Sequence, residues 1–268
     1  MLAAVARPYT TAGEDLAVYL VRRHITSYDS VGVASALLPT GRGAEWAEAV
    51  HEMAVLHLVR RLVAAGAKIA SARPELDYVA ESEIKQMILD TMIVDYNHIG
   101  EIYSRLEPAV AAARSSISAG TRKQLKSESR RERPWCYLCS VELDYETQDA
   151  PSSFTLDHVW PQAFGGNSDP ENLLPACGAC NSRKGHAATW SLYPIQALVH
   201  GYRLSSDDLE KLPKEARFAV LARGAAAEAA ATGASLKDAF IRLGRPGLPT
   251  VLDESVSVDV FNLVANFS

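Results

Sequence analysis

Four cysteines constrain this chain more than anything else in it. They stand as two C-x-x-C pairs, Cys136/Cys139 and Cys177/Cys180, and no other cysteine occurs among the 268 residues. Scattered disulfides would not leave this pattern. In a reducing compartment the two pairs read as a closed site of four thiolates around a zinc ion. Such a site has no open position for water, so the cysteines staple and do not catalyse. A segment of about fifty residues buries too little apolar surface to hold itself rigid, which gives the staple its purpose.

The rest of the chain bounds the architecture. Its length suits one large domain or two small ones. Hydrophobic residues make up 48%, enough for a sizeable core. No run approaches the roughly 18 apolar residues of a membrane span. The opening MLAAVARPYTTAGED has no charged-then-apolar signal pattern. The expectation is a soluble, cytoplasmic protein away from membranes.

The first 120 residues read as helical. Thr11 and Glu14 have capping-box spacing before Leu16, Tyr19 and Leu20. A second helix is expected from about Ala44 to Ala65, stopping at Gly66. A third, longer pattern starts near Ser82, with Ile84, Ile88, Met92, Ile99, Ile102, Leu106 and Val110 as its stripe and Pro108 as a kink or break. His51-Glu52 looks like half of the zinc-protease motif H-E-x-x-H, but Val55 stands where the second histidine belongs. Residues 121–134 are basic and form a linker or an exposed helix. Beyond residue 190, Ser205 or Ser206 caps a helix near Asp207 to Ala222, and Ser235 with Asp238 caps another that Gly244 ends. Alanines dominate 225–231, a helix-permissive tract. Val251 to Val264 reads either as a strand or as a docking tail.

The chemistry is concentrated between the cysteine pairs. Asp157-His158 ends a short β-prone run, Phe154 to Leu156, and Pro161 follows. A Gly165-Gly166 turn and an Asn172-Leu173 pair come next. The second cysteine pair then runs directly into Asn181, Lys184 and Gly185. In this order the segment resembles the HNH endonuclease family in its four-cysteine zinc version, over about residues 135–186. The resemblance implies a ββα-metal fold. It makes His158 the general base on water, a role that suits an imidazole with an ordinary pKa of about 6.5. It makes Asp157 and Asn181 the ligands of one catalytic cation. Two oxygen ligands with waters fit magnesium, and manganese can substitute. Asn172 is expected to tie down the loop after His158 and hold the histidine in place. His186 is optional to the motif.

Charge separates the cut from the grip. Net charge is −5. From Trp135 to His186 there are seven acidic residues against Arg183 and Lys184, a surface that repels nucleic acid. Immediately upstream, between Arg114 and Arg133, seven basic residues face two acidic ones. Arg122, Lys123, Lys126, Arg130, Arg131 and Arg133, with Arg183 and Lys184, are therefore the candidate phosphate contacts. A solvated helix face is the competing reading.

Together these readings give a mainly α protein with a central zinc-stapled ββα-metal module between helical N-terminal and C-terminal regions. The expected divisions are a helical targeting or partner-binding domain over 1–120, the basic linker or helix over 121–134, the nuclease module over 135–190 and a helical region over 191–268. The expected activity is hydrolysis of phosphodiester bonds, in DNA more than RNA, with structural zinc and catalytic magnesium or manganese. A partner subunit or oligomer would aim it, in a restriction or antiviral defence setting. The alternatives are a non-catalytic zinc-stapled binding module and a nuclease silent without its partner.

Overall fold

The structure is a computed structural model that describes residues 10–23, 43–72, 78–92, 94–185 and 214–244. These residues are mainly helical. Among them no helix is long and apolar enough to cross a membrane. The chain makes two compact units that do not divide it into simple halves. Met1–Ser116 with Trp160–Ser168 form one, and Ile117–Val159 with Asp169–Ser268 form the other.

The first unit packs α1 (Ala12–Arg23), α2 (Gly43–Ala72), α3 (Tyr78–Thr91) and α4 (Ile99–Arg114). Helix α1 begins as the Thr11/Glu14 spacing predicts. Glu14 N donates to Thr11 Oγ1 at 3.2 Å, and Thr11 Oγ1 donates to the Glu14 carboxylate at 3.2 Å. Helix α2 does not stop at Gly66. A Cβ there would lie 2.6 Å from Val110 Cγ2, so this glycine lets α4 approach and does not end a helix. The long pattern from Ser82 divides in two, and the break falls before Ile99, not at Pro108. Asp95 caps a short turn at Tyr96–His98, accepting from Asn97 N at 3.0 Å. Pro108 stays inside α4 on its exposed side, and Ser104, four residues earlier, is exposed as well. Ile84, Ile88, Ile99, Ile102, Leu106 and Val110 are buried as the stripe requires, and Met92 is half-buried.

The unit's core is completed by residues from far along the chain. Trp160 is wholly buried and donates Nε1 to Phe164 O at 2.9 Å. Gly13 N in the first turn of α1 donates to Gly165 O at 3.1 Å, and Asn167 Nδ2 to Thr10 O at 3.3 Å. Gly165 has φ 80, and a Cβ on it would stand 2.7 Å from Ala109 Cβ. The Gly165-Gly166 turn is thus a contact surface for α1 and α4 as well as a turn.

The second unit is built on a two-stranded antiparallel sheet. Strand β1 (Phe154–His158) pairs with β2 (Leu173–Cys177), with Asp157 opposite Leu174 and His158 opposite Leu173. Helix α5 (Ala119–Glu132) settles the basic stretch as a helix, capped by Ser118, which accepts from Thr121 N at 3.0 Å. Its mean composition is strongly polar, and Leu125 seats it against Leu156 and Leu173. Burying one leucine in this way is worth about 2 kcal/mol. Helix α6 (Gly178–Lys184) follows β2 directly and packs on both strands. Helix α7 (Lys214–Thr232) carries the alanine tract, with Ala225 and Ala229 buried. Helix α8 (Leu236–Leu243) is capped by Ser235, whose Oγ accepts from Asp238 N at 3.0 Å, and ends at Gly244 with φ 72. The expected start of α7 near Asp207, His186 and the 251–264 segment lie outside the described residues.

Candidate active site

Two turns bring the cysteines together. In the first, Ser140 N donates to Cys136 O and Cys136 N to Val141 O, each at 2.8 Å, with Ser140 in the left-handed region at φ 62. In the second, Cys177 caps α6, its Sγ accepting from Cys180 N at 3.4 Å. All four cysteines are buried, and their sulfurs lie within 4.8 Å of one another. Cys139 Sγ and Cys177 Sγ are 3.8 Å apart. Zinc–sulfur bonds of about 2.3 Å set a tetrahedral edge of about 3.8 Å, so the donor set fits zinc. The crowded thiols differ in ease of ionisation. Hydrogen bonds, first of all with Cys136, hold Cys139 and Cys177 below the ordinary thiol range; burial pushes Cys136 up, and hydrogen bonding with Cys136 pushes Cys180 up. A bound cation deprotonates all four.

The seam between β1 and α6 holds the candidate catalytic residues. Asn181 and Lys184 are three apart on α6 and so share a face. Asn181 Nδ2 donates to Thr155 Oγ1 at 3.1 Å and Leu156 O at 3.2 Å. Its amide oxygen is the other end of the same group. Lys184 Nζ donates to Asp157 Oδ1 at 3.0 Å and to His158 O at 2.7 Å, and lies 2.9 Å from Asp157 Oδ2. Tyr137 OH donates to that same Oδ2. Burial and the Asp157 carboxylate push the Tyr137 phenol well above its ordinary value, so it serves as a neutral donor.

Strand alternation governs the pair Asp157-His158. Asp157 is buried beneath α6, whereas His158 is half-buried and Lys184 reaches only its backbone carbonyl. Asn172 is buried at the end of the long loop, and its backbone carbonyl accepts from Val159 N at 2.8 Å, directly after His158. The oxygens of Asp157 and Asn181 are hard donors that suit magnesium or manganese. A carboxylate accepts about four hydrogen bonds, and Lys184 and Tyr137 engage three of these positions here. A cation at Asp157 would therefore share its charge with, or displace, the Lys184 ammonium.

Lys184 departs from its sequence reading. It is 3% exposed and turned onto Asp157, so it is not a surface contact for phosphate. The other basic candidates divide. Lys126 Nζ donates to Tyr145 O at 2.7 Å. Arg130 pairs with Glu146 and lies over the Tyr145 ring, and Arg131 pairs with Glu132 at 2.6 Å. Arg133 caps the end of α5, half-buried, and Arg183 is also half-buried. Arg122 and Lys123 are exposed, and their side chains make no hydrogen bond or ion pair with the described residues. His57 is exposed and Val55 buried. Sequence reasoning missed Tyr137, because the inner residues of a C-x-x-C turn have no fixed role. It also missed the carboxylate partner of Lys184, which the three-residue spacing from Asn181 announces.

Residues 136–191 match the family model of an HNH endonuclease. This segment is similar to an HNH endonuclease module. Neither the comparison with curated proteins nor that with solved structures gave a match. The HNH assignment thus covers the zinc turns, both strands and α6, and it points to nuclease activity and a nucleic-acid substrate.

Proposed function

We propose that this protein is a metal-dependent endonuclease that hydrolyses phosphodiester bonds of DNA, with His158 as the base that activates water. The observation that carries this reading is the match of residues 136–191 to an HNH endonuclease, supported by Asp157 and Asn181 at the β1–α6 seam and by His158 next to Asp157 at the end of β1. Zinc would hold the two turns and supply no chemistry. Magnesium or manganese held by Asp157 and Asn181 would act as a Lewis acid on the phosphate and stabilise the leaving oxygen. The residues of the chain do the rest. His158, at the open end of β1, takes the proton of the attacking water. Asn172 anchors the return of the loop beside Val159 and so holds the backbone of His158. Arg122 and Lys123 on α5 offer positive charge that the acidic module lacks.

The acidic balance of the module supports a protein partner or oligomer that aims the cut. The setting we propose is an intracellular restriction or defence system. A second reading, a zinc-stapled binding module without catalysis, has one observation on its side: Lys184 already neutralises Asp157. One experiment separates them. The purified protein is incubated with supercoiled plasmid, linear duplex, single-stranded DNA and RNA, with magnesium, manganese or EDTA, beside His158→Ala. Cation-dependent cleavage that disappears in the variant is expected. Cleavage that persists in the variant would remove His158 from its role, and binding without cleavage would favour the second reading.

A further inference from the structure

The catalytic reading uses Asp157, His158 and Asn181 and leaves Tyr137 without a task. Yet this side chain is restrained on three sides. It stands between two zinc cysteines, and its backbone N donates to Pro175 O at 3.1 Å, fixing the zinc turn to β2. Its ring meets Phe240 of α8 edge-on, centroids 5.1 Å apart and planes at 87°. Phe240 is itself buried, and α8 is held by Lys237 donating to Pro170 O. At the far end the hydroxyl reaches Asp157 Oδ2.

The carboxylate needs such a partner. Lys184 Nζ lies 3.0 Å from Oδ1 and 2.9 Å from Oδ2, so the ammonium does not distinguish the two oxygens. Tyr137 donates to Oδ2 alone and breaks that symmetry, leaving Oδ1 with spare lone-pair capacity. We propose that Tyr137 is a positioning residue for the cation site. It selects the oxygen that Asp157 presents, and it carries the rigidity of the zinc turn and of α8 to that oxygen. The inference rests on the reading of Asp157 as a cation ligand.

The test uses the full-length, zinc-loaded protein and Tyr137→Phe, which keeps the ring and its contact with Phe240 and removes only the hydroxyl. Manganese binding is followed by electron paramagnetic resonance, zinc content by elemental analysis, and cleavage as a function of manganese. Zinc content is expected to stay at the wild-type level while the manganese Kd weakens about tenfold, the lower end of what a lost ligand-orienting bond does. The half-saturating manganese concentration for cleavage should rise by the same factor, with a smaller change in rate at saturation. Unchanged manganese affinity, or loss of zinc together with activity, would overturn the proposal and leave Tyr137 a structural residue. Asp157→Asn serves as the reference. If it abolishes manganese binding while Tyr137→Phe does not alter it, the positioning role alone fails. If wild type and Asp157→Asn bind manganese alike, the cation site itself is wrong and the inference falls with it.

Discussion

Gly13 offers a substitution whose outcome can be worked out from distances. It lies in the first turn of α1, where the loop that begins two residues after His158 folds back. A Cβ on Gly13 would sit 1.8 Å from Phe164 O and 2.6 Å from Trp160 Nε1. A carbon–oxygen contact needs about 3.3 Å, so α1 and the loop must part by roughly 1.5 Å. That separation breaks the 3.1 Å bond from Gly13 N to Gly165 O and strains the 2.9 Å bond from Trp160 Nε1 to Phe164 O. Overpacking costs about 1–3 kcal/mol, and a buried donor left without its acceptor about 1–3 kcal/mol more. Alanine returns up to about 1 kcal/mol of helix propensity. The net for Gly13→Ala is a loss of about 3 kcal/mol. Gly100 is the matched control, because it too occupies the first turn of a helix and nothing lies within 4 Å of its Cβ. Gly100→Ala should gain about 0.5–1 kcal/mol. The two variants are compared with wild type in urea unfolding followed by far-ultraviolet circular dichroism. Opposite shifts of the midpoint are expected. Shifts of equal sign, or a Gly13→Ala midpoint equal to wild type, would refute the packing of this loop on α1.

Four further outcomes follow from the second unit. Lys184→Met should lower its stability by about 3–5 kcal/mol, because the Asp157 carboxylate stays buried without its ammonium; added manganese should restore much of that, and a thermal midpoint insensitive to manganese would count against the site. Replacing Cys136 or Cys177 by serine should release zinc and abolish cleavage by unfolding the module, and a variant with normal stability and activity would remove the staple. Zinc retention should weaken as pH falls, since each bound thiolate must take up a proton to let go; a colorimetric chelator assay showing faster release at higher pH would contradict this. Arg122→Gln with Lys123→Gln should weaken DNA binding at every sequence and reduce the salt slope by about 2, and an unchanged slope would exclude these side chains as phosphate contacts.

Local rules were enough wherever one residue type leaves little choice. The Thr11/Glu14 and Ser235/Asp238 spacings marked real helix starts, since a hydroxyl three residues before its acceptor-seeking amide has few other conformations to serve. The cysteine pairs announced their cluster for the same reason. Glycine and proline misled because their local effect depends on what faces them. Gly66 answers to Val110 across the helix interface, and Pro108 sits on the exposed side of α4. Within the site, order and spacing singled out Asp157, His158 and Asn181, and the fold sets Asp157 and Asn181 at the β1–α6 seam. Tyr137 and Phe240 were not, because their role exists only once α8 is folded against the first zinc turn. Lys184 was read as a candidate phosphate contact, although its register with Asn181 places it on the buried face.

The loop that completes the helical core also sets an order of events during synthesis. Asn167 bonds back to Thr10 across 157 residues. Helices α1 to α4 leave the ribosome long before Trp160 and Phe164 do. At about 5–20 residues per second, translation from Arg114 at the end of α4 to Phe164 takes roughly three to ten seconds. Through that interval the nascent helices lack a wholly buried tryptophan of their own core, and contacts this distant close slowly even afterwards. The helical unit therefore reaches its final packing only after Asp157 and His158 have been made. A chain interrupted before residue 168 would present an unfinished apolar surface, a natural mark for chaperones and proteases, and would not leave behind a free-standing helical domain.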